Sequence, residues 1–408
     1  MLVITREKKI TSVIIAIAFL FNAICLAANL IIPSFAGFGD VLAIALLLIG
    51  LCSCFPVLKI SYNALLICVT ILFMVLVSYF IYGQASEIFS LLKNYIVWGI
   101  GISVILMQPF DLEKTLDTAM VLSTGIIIAD LILNADIHYE SMVWTYAIFP
   151  CIATMLIHFV YRRHKSWFGK LLYIPGIIMF FKFILNSNRG GLFSLAFLLY
   201  FIIMRKISKG TKYTSKRGIT SVIVLLVICI LAINYEAIVE ALYNLLSAND
   251  IKVSAVNKMY RLIMTENVLN NRSELYEFAW KGFLESPIWG NGVGAFSVNH
   301  GGWVHNLFLQ VLYEGGVLLF SLVFIPLLII IYHMVWGDKV KKENYAFLVL
   351  LFCTSIPRLL FSTEIWNTQS FWMLLVFGLI SINNEKRIKN EKRLEENKNE
   401  YSVSRREI

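Results

Sequence analysis

Apolar runs long enough to cross a bilayer follow one another from Ile10 almost to Ile382, separated by short polar or basic connections. A helical crossing takes roughly 20 apolar residues at about 1.5 Å each. Counted this way the chain predicts spans near 10–32, 40–56, 62–82, 88–107, 115–133, 143–161, 170–186, 190–204, 219–236, 304–336, 345–361 and 366–382. The expected architecture is all-α, a polytopic membrane protein of about 12 transmembrane helices with one large helical extracytoplasmic loop. The first run, "ITSVIIAIAFLFNAICLAANLII", follows Lys8 and Lys9. It is too long for a cleaved signal peptide and reads as a retained span.

Charge orients this thread. The basic connections are "REKK" before the first span, "YRRHKSWFGK" after the sixth, "RKISKGTKYTSKRG" after the eighth, "GDKVKKEN" after the tenth and "NNEKRIKNEKR" at the end. All fall on one side of the thread, which the positive-inside rule makes the cytoplasm, so both termini are expected there. The chain then divides into transmembrane helices 1–9 over residues 1–236, a large extracytoplasmic loop over 237–303, helices 10–12 over 304–382 and a charged cytoplasmic tail over 383–408.

Within the loop, "EAIVEALYNLLSAND" places apolar residues at helical spacing and is expected along the membrane surface. "NNRSELYEFAWKGFLESP" offers Asn271 or Ser273 as N-cap, an amphipathic stretch through Leu284, and Pro287 as a stop. "WGNGVGAF" contains a G-x-G-x-G, but it follows a helix and a proline rather than a strand. It therefore reads as a turn returning the chain to the membrane, not as a dinucleotide fingerprint.

Composition agrees with the pattern: 59% of the 408 residues are hydrophobic and 15% charged, outside the range of soluble domains. The net charge of +9 sits mostly in the basic blocks between spans, so it reads as a topology signal and no nucleic-acid partner is expected. The seven cysteines lie in apolar runs without CxxC spacing or clustered histidines, which argues against zinc sites, redox pairs or a disulfide framework. No internal repeat is visible, which disfavours a transporter built from duplicated halves.

Ionisable groups on or just below the outer face are few: Lys93, Asp130, His138, Lys182, Arg189, Arg261, Arg272, Glu274, His300, His305, Glu314, Arg358 and Glu364. An ionisable group inside a span costs a few kcal/mol or more unless paired or hydrated, so each needs a partner or a task. In "ILNSNRGGLFSLAF", Arg189 stands in a very short outer connection with Asn188 before it and Gly190 and Gly191 after it. One reading is an interfacial arginine snorkelling to water. The other is an anion site, since a guanidinium fork suits phosphate oxygens and the glycines let backbone N–H groups approach the same anion. Arg272 opens the loop helix, either as a solvated helix-start charge or beside N-terminal N–H groups that favour an anion.

The stretch "GGWVHNLFLQVLYEGG" is the polar interruption that these observations surround. Val304 to Trp336 would run roughly 50 Å as one helix, far more than a span needs. "WVHNLFLQVLYE" is therefore a protruding helix end or a half-helix hinged at Gly315 and Gly316. Asn306, Gln310 and Tyr313 share one face, which must meet protein or a wet cavity. His305 sits at the outer boundary, where a neutral imidazole can accept a proton from a hydroxyl at neutral pH. The tryptophans Trp144, Trp289, Trp303 and Trp366 read as an aromatic belt rather than sugar platforms.

At these residues the chain resembles the bacterial O-antigen ligase and polymerase superfamily, integral membrane glycosyltransferases acting on undecaprenyl-pyrophosphate-linked glycans. The resembling parts are "SNRGGL", "NRSELYEFAWKGFLESPIWGNGVGAF" and "HNLFLQVLYEGGV". They cover roughly the second half of the chain, and Lys93 in the fourth span is a possible further match. The resemblance implies that Arg189 and Arg272 bind the donor's pyrophosphate and that His305 deprotonates the acceptor hydroxyl. Asn188, Asn306, Gln310, Glu314, Arg358 and Lys93 would line the substrate site, with Glu314 orienting Arg189 or His305 or pairing with Arg358. No DxD-like outer carboxylate pair is present, so the residues call for no metal or other cofactor. The implied partners are a lipid-linked donor and acceptor, the bilayer and a chain-length regulator, at the inner membrane with the site facing the periplasm. Polymerase is favoured over ligase because polymerases are the more varied group. A flippase of lipid-linked glycans is the alternative class, but it should carry polar residues at mid-depth in many helices.

Overall fold

The computed structural model describes residues 2–54, 60–83, 85–134, 142–161, 167–209, 235–265, 272–336 and 341–385. Every regular element among them is helical. Among the described residues seven helices are long and apolar enough to cross a membrane, or eight if a bent N-terminal pair counts as one span. The twelve expected spans are thus met only in part by this criterion. Helices also stand at 40–56 and 190–204, as α3 (Gly39–Cys54) and α9 (Arg189–Lys209), and over 369–385 at the last predicted span. Most of the predicted span 219–236 lies outside the described residues.

Helix α1 (Leu2–Phe19) and α2 (Phe21–Ile31) meet at Leu20 with a 69° bend, where one straight span was expected. Neither proline nor glycine marks the bend. Leu20 is fully buried there, and both halves pack on α6 (Leu112–Leu133), so tertiary packing overrides local preference. Next, α4 (Tyr62–Ile81) is apolar all round, with only 28% of its spanning window covered by protein. Leu66, Phe73 and Phe80 stay exposed on it, as expected for a face solvated by lipid. Helix α5 (Ser86–Leu106) loosens into a π-type turn over Tyr95–Gly101.

The centre of the bundle is α15 (Lys342–Phe361), whose spanning window is 78% covered, together with α7 (Met142–Tyr161) at 72%. Helix α15 packs against α7, α9 and α6. Arg358, near its C-terminal end, is therefore held inside protein rather than beside lipid.

The loop region contributes α10 (Tyr235–Ser247), α11 (Ser254–Met264), α12 (Ser273–Glu285) and the short α13 (Ala295–His300). The spacing predicted α10 and α12; α11 was not anticipated. It packs on α10 through a face-to-face stack of Tyr243 and Tyr260 with centroids 3.9 Å apart, and it rests on α9 and on α8 (Ile174–Asn186). Asn271 lies outside the described residues, and Arg272 takes the N-cap position of α12.

The long return helix α14 (Leu307–Trp336) is broken at Gly316, where φ is 57° and ψ −158°. Of the two arrangements the sequence left open, this is the half-helix hinged at the glycines, and only glycine tolerates such a φ readily. A Cβ there would also lie 2.5 Å from the carbonyl group of Ile288. The backbone groups freed by the break are taken up by the glycine-rich segment before α13. Val317 N–H donates to Pro287 O at 2.8 Å, Asn291 N–H to Tyr313 O at 2.8 Å and Gly292 N–H to Glu314 O at 2.9 Å. Gly290 allows the approach, since a Cβ on it would meet Gly315 N at 2.4 Å. Loop and helix are thereby one unit, and the segment is tied to α4 as well, with Tyr82 donating to Asn291 O and Val293 N–H to Ser78 Oγ. Replacing Gly316 with Ala is expected to destabilise the protein by about 1–3 kcal/mol, read as a lower melting temperature in detergent, whereas Gly302→Ala, with nothing near its Cβ position, should leave melting unchanged.

Candidate functional site

Ends of several helices gather at one corner of the bundle: the starts of α7, α9, α12 and α14, and the end of α15 with the connection that follows it. The break in α14 sets the direction of the half-helix that carries Gln310 and follows His305. Asn306 caps that half-helix, its Oδ1 accepting from Phe308 N–H at 3.0 Å and Leu309 N–H at 3.2 Å. This local task explains a short amide at that position.

His305 precedes the cap with φ of 58°, a conformation that costs a bulky residue roughly 1–3 kcal/mol and marks a position fixed by its surroundings. Its Nδ1 accepts a hydrogen bond from the Trp303 indole N–H at 3.0 Å. The same N–H also reaches the Ser362 carbonyl at 3.3 Å. Partial burial and the nearby charge of Arg272 hold the imidazole pKa down at about 4, so His305 is neutral at physiological pH.

Arg272 donates through Nη1 to the carbonyl of Phe361 at 2.7 Å. That carbonyl ends α15 and lacks a helical partner, so the guanidinium both caps α15 and is anchored by it. One residue on, the Ser362 hydroxyl pairs with the Tyr146 hydroxyl at 2.8 Å. Tyr146 carries the connection further: its ring lies 5.3 Å from the Arg358 guanidinium, and its hydroxyl occupies the space left by Gly190. The Nε of Arg358 is buried without a hydrogen-bond partner. Asn188 caps α9 by accepting from Gly191 N–H at 2.9 Å, and Arg189 is the first residue of that helix. The Gly191 N–H is thus engaged by Asn188, where the sequence suggested an anion.

Below this layer lies a buried polar network. Gln310 Nε2 bridges Glu314 Oε1 at 3.2 Å and Glu364 Oε2 at 3.3 Å. Trp366 Nε1–H donates to Glu314 Oε2 at 2.8 Å. Asn367 donates to Glu364 Oε1, and Asn94 donates to Asn367. Glu314 therefore has Gln310 and Trp366 as partners, and neither Arg189, His305 nor Arg358, the three choices the sequence left for it. Burial, reinforced by the charge of Glu314, raises the Glu364 carboxyl to about 8, so it carries its proton at neutral pH.

Other expected candidates lie elsewhere. Lys93 pairs with Asp40, and its neighbour Asn94 is the residue of α5 that joins the network. Lys182 closes a buried pair with Asp130 at 3.0 Å, to which Trp144 and Asn134 also donate. His300 packs its ring on Phe278, and His138 lies outside the described residues. The expected aromatic belt divides as well: Trp144 and Trp366 are buried hydrogen-bond donors, Trp303 binds His305, and Trp289 remains exposed. Sequence reasoning gave Trp303 and Trp366 only to the aromatic belt and Glu364 only to the outer-face ionisable groups, and it passed over Tyr146, Ser362 and Asn367.

Fold and site define a polytopic, all-helical membrane protein with arginine, histidine and amide side chains gathered at one end of its bundle. A family model described as O-antigen ligase matches residues 174–324, and the match supports the resemblance to the O-antigen ligase and polymerase superfamily over that part of the chain. It spans Asn188, Arg189, Arg272, His305, Gln310 and Glu314 and stops before Arg358, Ser362 and Glu364. No curated protein matches the chain.

The raised Glu364 carboxyl has a measurable consequence. A carboxyl whose folded pKa lies above its unfolded value stabilises the fold below the unfolded pKa, and that contribution is lost as pH rises through the folded pKa. Melting temperature should therefore fall between about pH 4.5 and pH 8 more steeply in wild type than in Glu364→Gln, which keeps the shape without a titration; parallel curves would show that Glu364 is ionised throughout.

Proposed function

We propose that the chain is a polysaccharide polymerase: it transfers a glycan from an undecaprenyl-pyrophosphate-linked donor to a sugar hydroxyl of another lipid-linked repeat unit, on the outer side of the inner membrane. The observation that carries this reading is the juxtaposition of a neutral His305 with an Arg272 anchored on the end of α15. The base and the positive charge that such a transfer needs stand side by side. The basic blocks between spans support a cytoplasmic side opposite this corner.

In the proposed chemistry Arg272 and Arg189 hold the pyrophosphate and stabilise the charge that grows as it leaves. Asn188 orients the turn that presents Arg189. Arg358, from within α15, adds positive charge beneath the same corner. His305 takes the proton of the attacking hydroxyl, and the oxygen displaces the pyrophosphate at the anomeric carbon with inversion. Asn306, Gln310 and Glu314 shape the walls and supports of the site, Asn306 by capping α14 and Gln310 and Glu314 by joining α14 to the 364–367 turn, whereas Lys93, paired with Asp40, is left out of it. A chain-length regulator is the partner a polymerase would require. Ligation of the finished glycan to lipid A core is the second reading, favoured by the description of the matching family.

Replacing His305 with Ala should lower transfer by about 100- to 10,000-fold without loss of folded protein. Arg272→Lys should cost about 10-fold or more although charge is kept, because the fork is lost; a wild-type rate would reduce Arg272 to a structural cap. Deletion followed by gel analysis of surface glycan separates the two readings. A polymerase leaves a single repeat on the acceptor, whereas a ligase leaves lipid-linked polymer and a bare acceptor. Because the pKa of His305 in the free enzyme is about 4, kcat/KM, which reports on the free enzyme, should be level from pH 6 to 8 and fall only near pH 4; an acid limb of kcat/KM near the ordinary histidine value of about 6.5 would contradict the assignment.

A further inference from the structure

At rest the accepting nitrogen of His305 is occupied. A neutral imidazole has one lone pair available for a proton, and the bond from Trp303 places it on Nδ1, leaving Nε2 protonated. The nitrogen that could act as base is thus capped by an indole N–H. That N–H is shared, however, because the Ser362 carbonyl already lies 3.3 Å from it. That carbonyl also pairs with the His305 ring, but a carbonyl oxygen has two lone pairs, so an indole that gave up Nδ1 would still have an acceptor and leave no donor unpaired. Trp303 has room beside it: it remains about one-third exposed, at 36%, and follows Gly301 and Gly302, around whose Cβ positions there is open space.

We propose that Trp303 is a positioning residue that latches the base, capping Nδ1 of His305 in the resting enzyme and passing its N–H to the Ser362 carbonyl when an acceptor hydroxyl arrives. This rests on the reading of His305 as general base. In the released state the hydroxyl proton passes to Nδ1 and the oxygen's electron pair forms the bond to the anomeric carbon. The bond from that carbon to the pyrophosphate oxygen breaks, its electrons leaving with the phosphate, and the imidazolium then gives its Nδ1 proton to water. Arg272 is the charged group that acts on the ring, and its repulsion favours this last step. The latch selects the tautomer and keeps a hydroxyl other than a well-placed acceptor from reaching the base.

The test uses the full-length protein in nanodiscs with 15N-labelled histidine, and donor and acceptor supplied as the lipid-linked glycan extracted from a deletion strain. Wild type should show His305 as a single neutral tautomer protonated on Nε2. Two variants remove the donor: Trp303→Phe, and Trp303 replaced by benzothienylalanine, which keeps the ring shape without an N–H and so separates donation from packing. Each should mix the tautomers and move the acid limb of kcat/KM for the acceptor upward by about one pH unit. An unchanged tautomer and an unmoved limb in the benzothienylalanine protein would overturn the latch, even if activity fell at every pH. The tautomer measurement needs no turnover, so the latch stands or falls apart from the base reading, which full activity in His305→Ala would sink by itself.

Discussion

A helix broken inside a membrane protein must have its freed backbone groups satisfied by protein, because no water is there to do it. At Gly316 that requirement is met from outside the helix: Pro287, Asn291 and Gly292 pair with the broken turn. The consequence reaches well past the break. The segment that satisfies it is the C-terminal part of the loop that carries Arg272, and the half-helix it fixes is the one that carries Gln310 and follows His305. One backbone constraint thus places cation and imidazole in a common frame, though 33 residues of chain separate Arg272 from His305.

The buried polar network under the corner follows from the same geometry. Gln310 leans between two carboxyls, and the turn after α15 supplies Glu364, Trp366 and Asn367 to close the set. Two ionised carboxylates around one amide would be costly in such a place. The proton held by Glu364 removes one charge, so the network binds α14 to the α15 turn without a nearby cation. That leaves the arginines of the upper layer uncommitted to these acids. A carboxylate reaching Arg272 or Arg358 would weaken any hold on a phosphate; here the acids are turned inward onto amides and indoles.

Much of this was legible in the sequence, and what was missed has a physical pattern. Periodicity and length revealed the helices, the loop helices α10 and α12, and the hinge at Gly316, because these depend on local preference and on the width of a bilayer. His305, Gln310 and Arg272 stood out as polar groups among apolar ones. The bend at Leu20 left no trace, since it is imposed by packing on α6 rather than by a breaker residue. Pairings across the bundle were equally hidden. Nothing local told that Glu314 would meet Trp366, that Lys93 would turn to Asp40, or that Trp303 and Trp144 would be hydrogen-bond donors and not a membrane belt. Glu314 and Trp366 stand 52 positions apart and Lys93 and Asp40 53, and even the bond from Trp303 to His305, two positions on, depends on a side-chain orientation that single positions do not encode.

On the proposed chemistry the closeness of Arg272 to His305 has a further meaning. The guanidinium charge helps to depress the histidine pKa to about 4, which makes the free enzyme a weak base: always unprotonated at neutral pH, but with little pull on a hydroxyl proton. A pyrophosphate bound at Arg272 brings negative charge to the same place. Opposite charge favours the imidazolium, so the basicity of His305 rises when the donor is in position. Binding the donor would then strengthen the base only in the complex where both substrates can react, and the resting enzyme would hold a histidine too weak to activate water or stray hydroxyls. The arginine beside the histidine, which looks unfavourable when the charges are considered alone, becomes the element that couples donor binding to base strength.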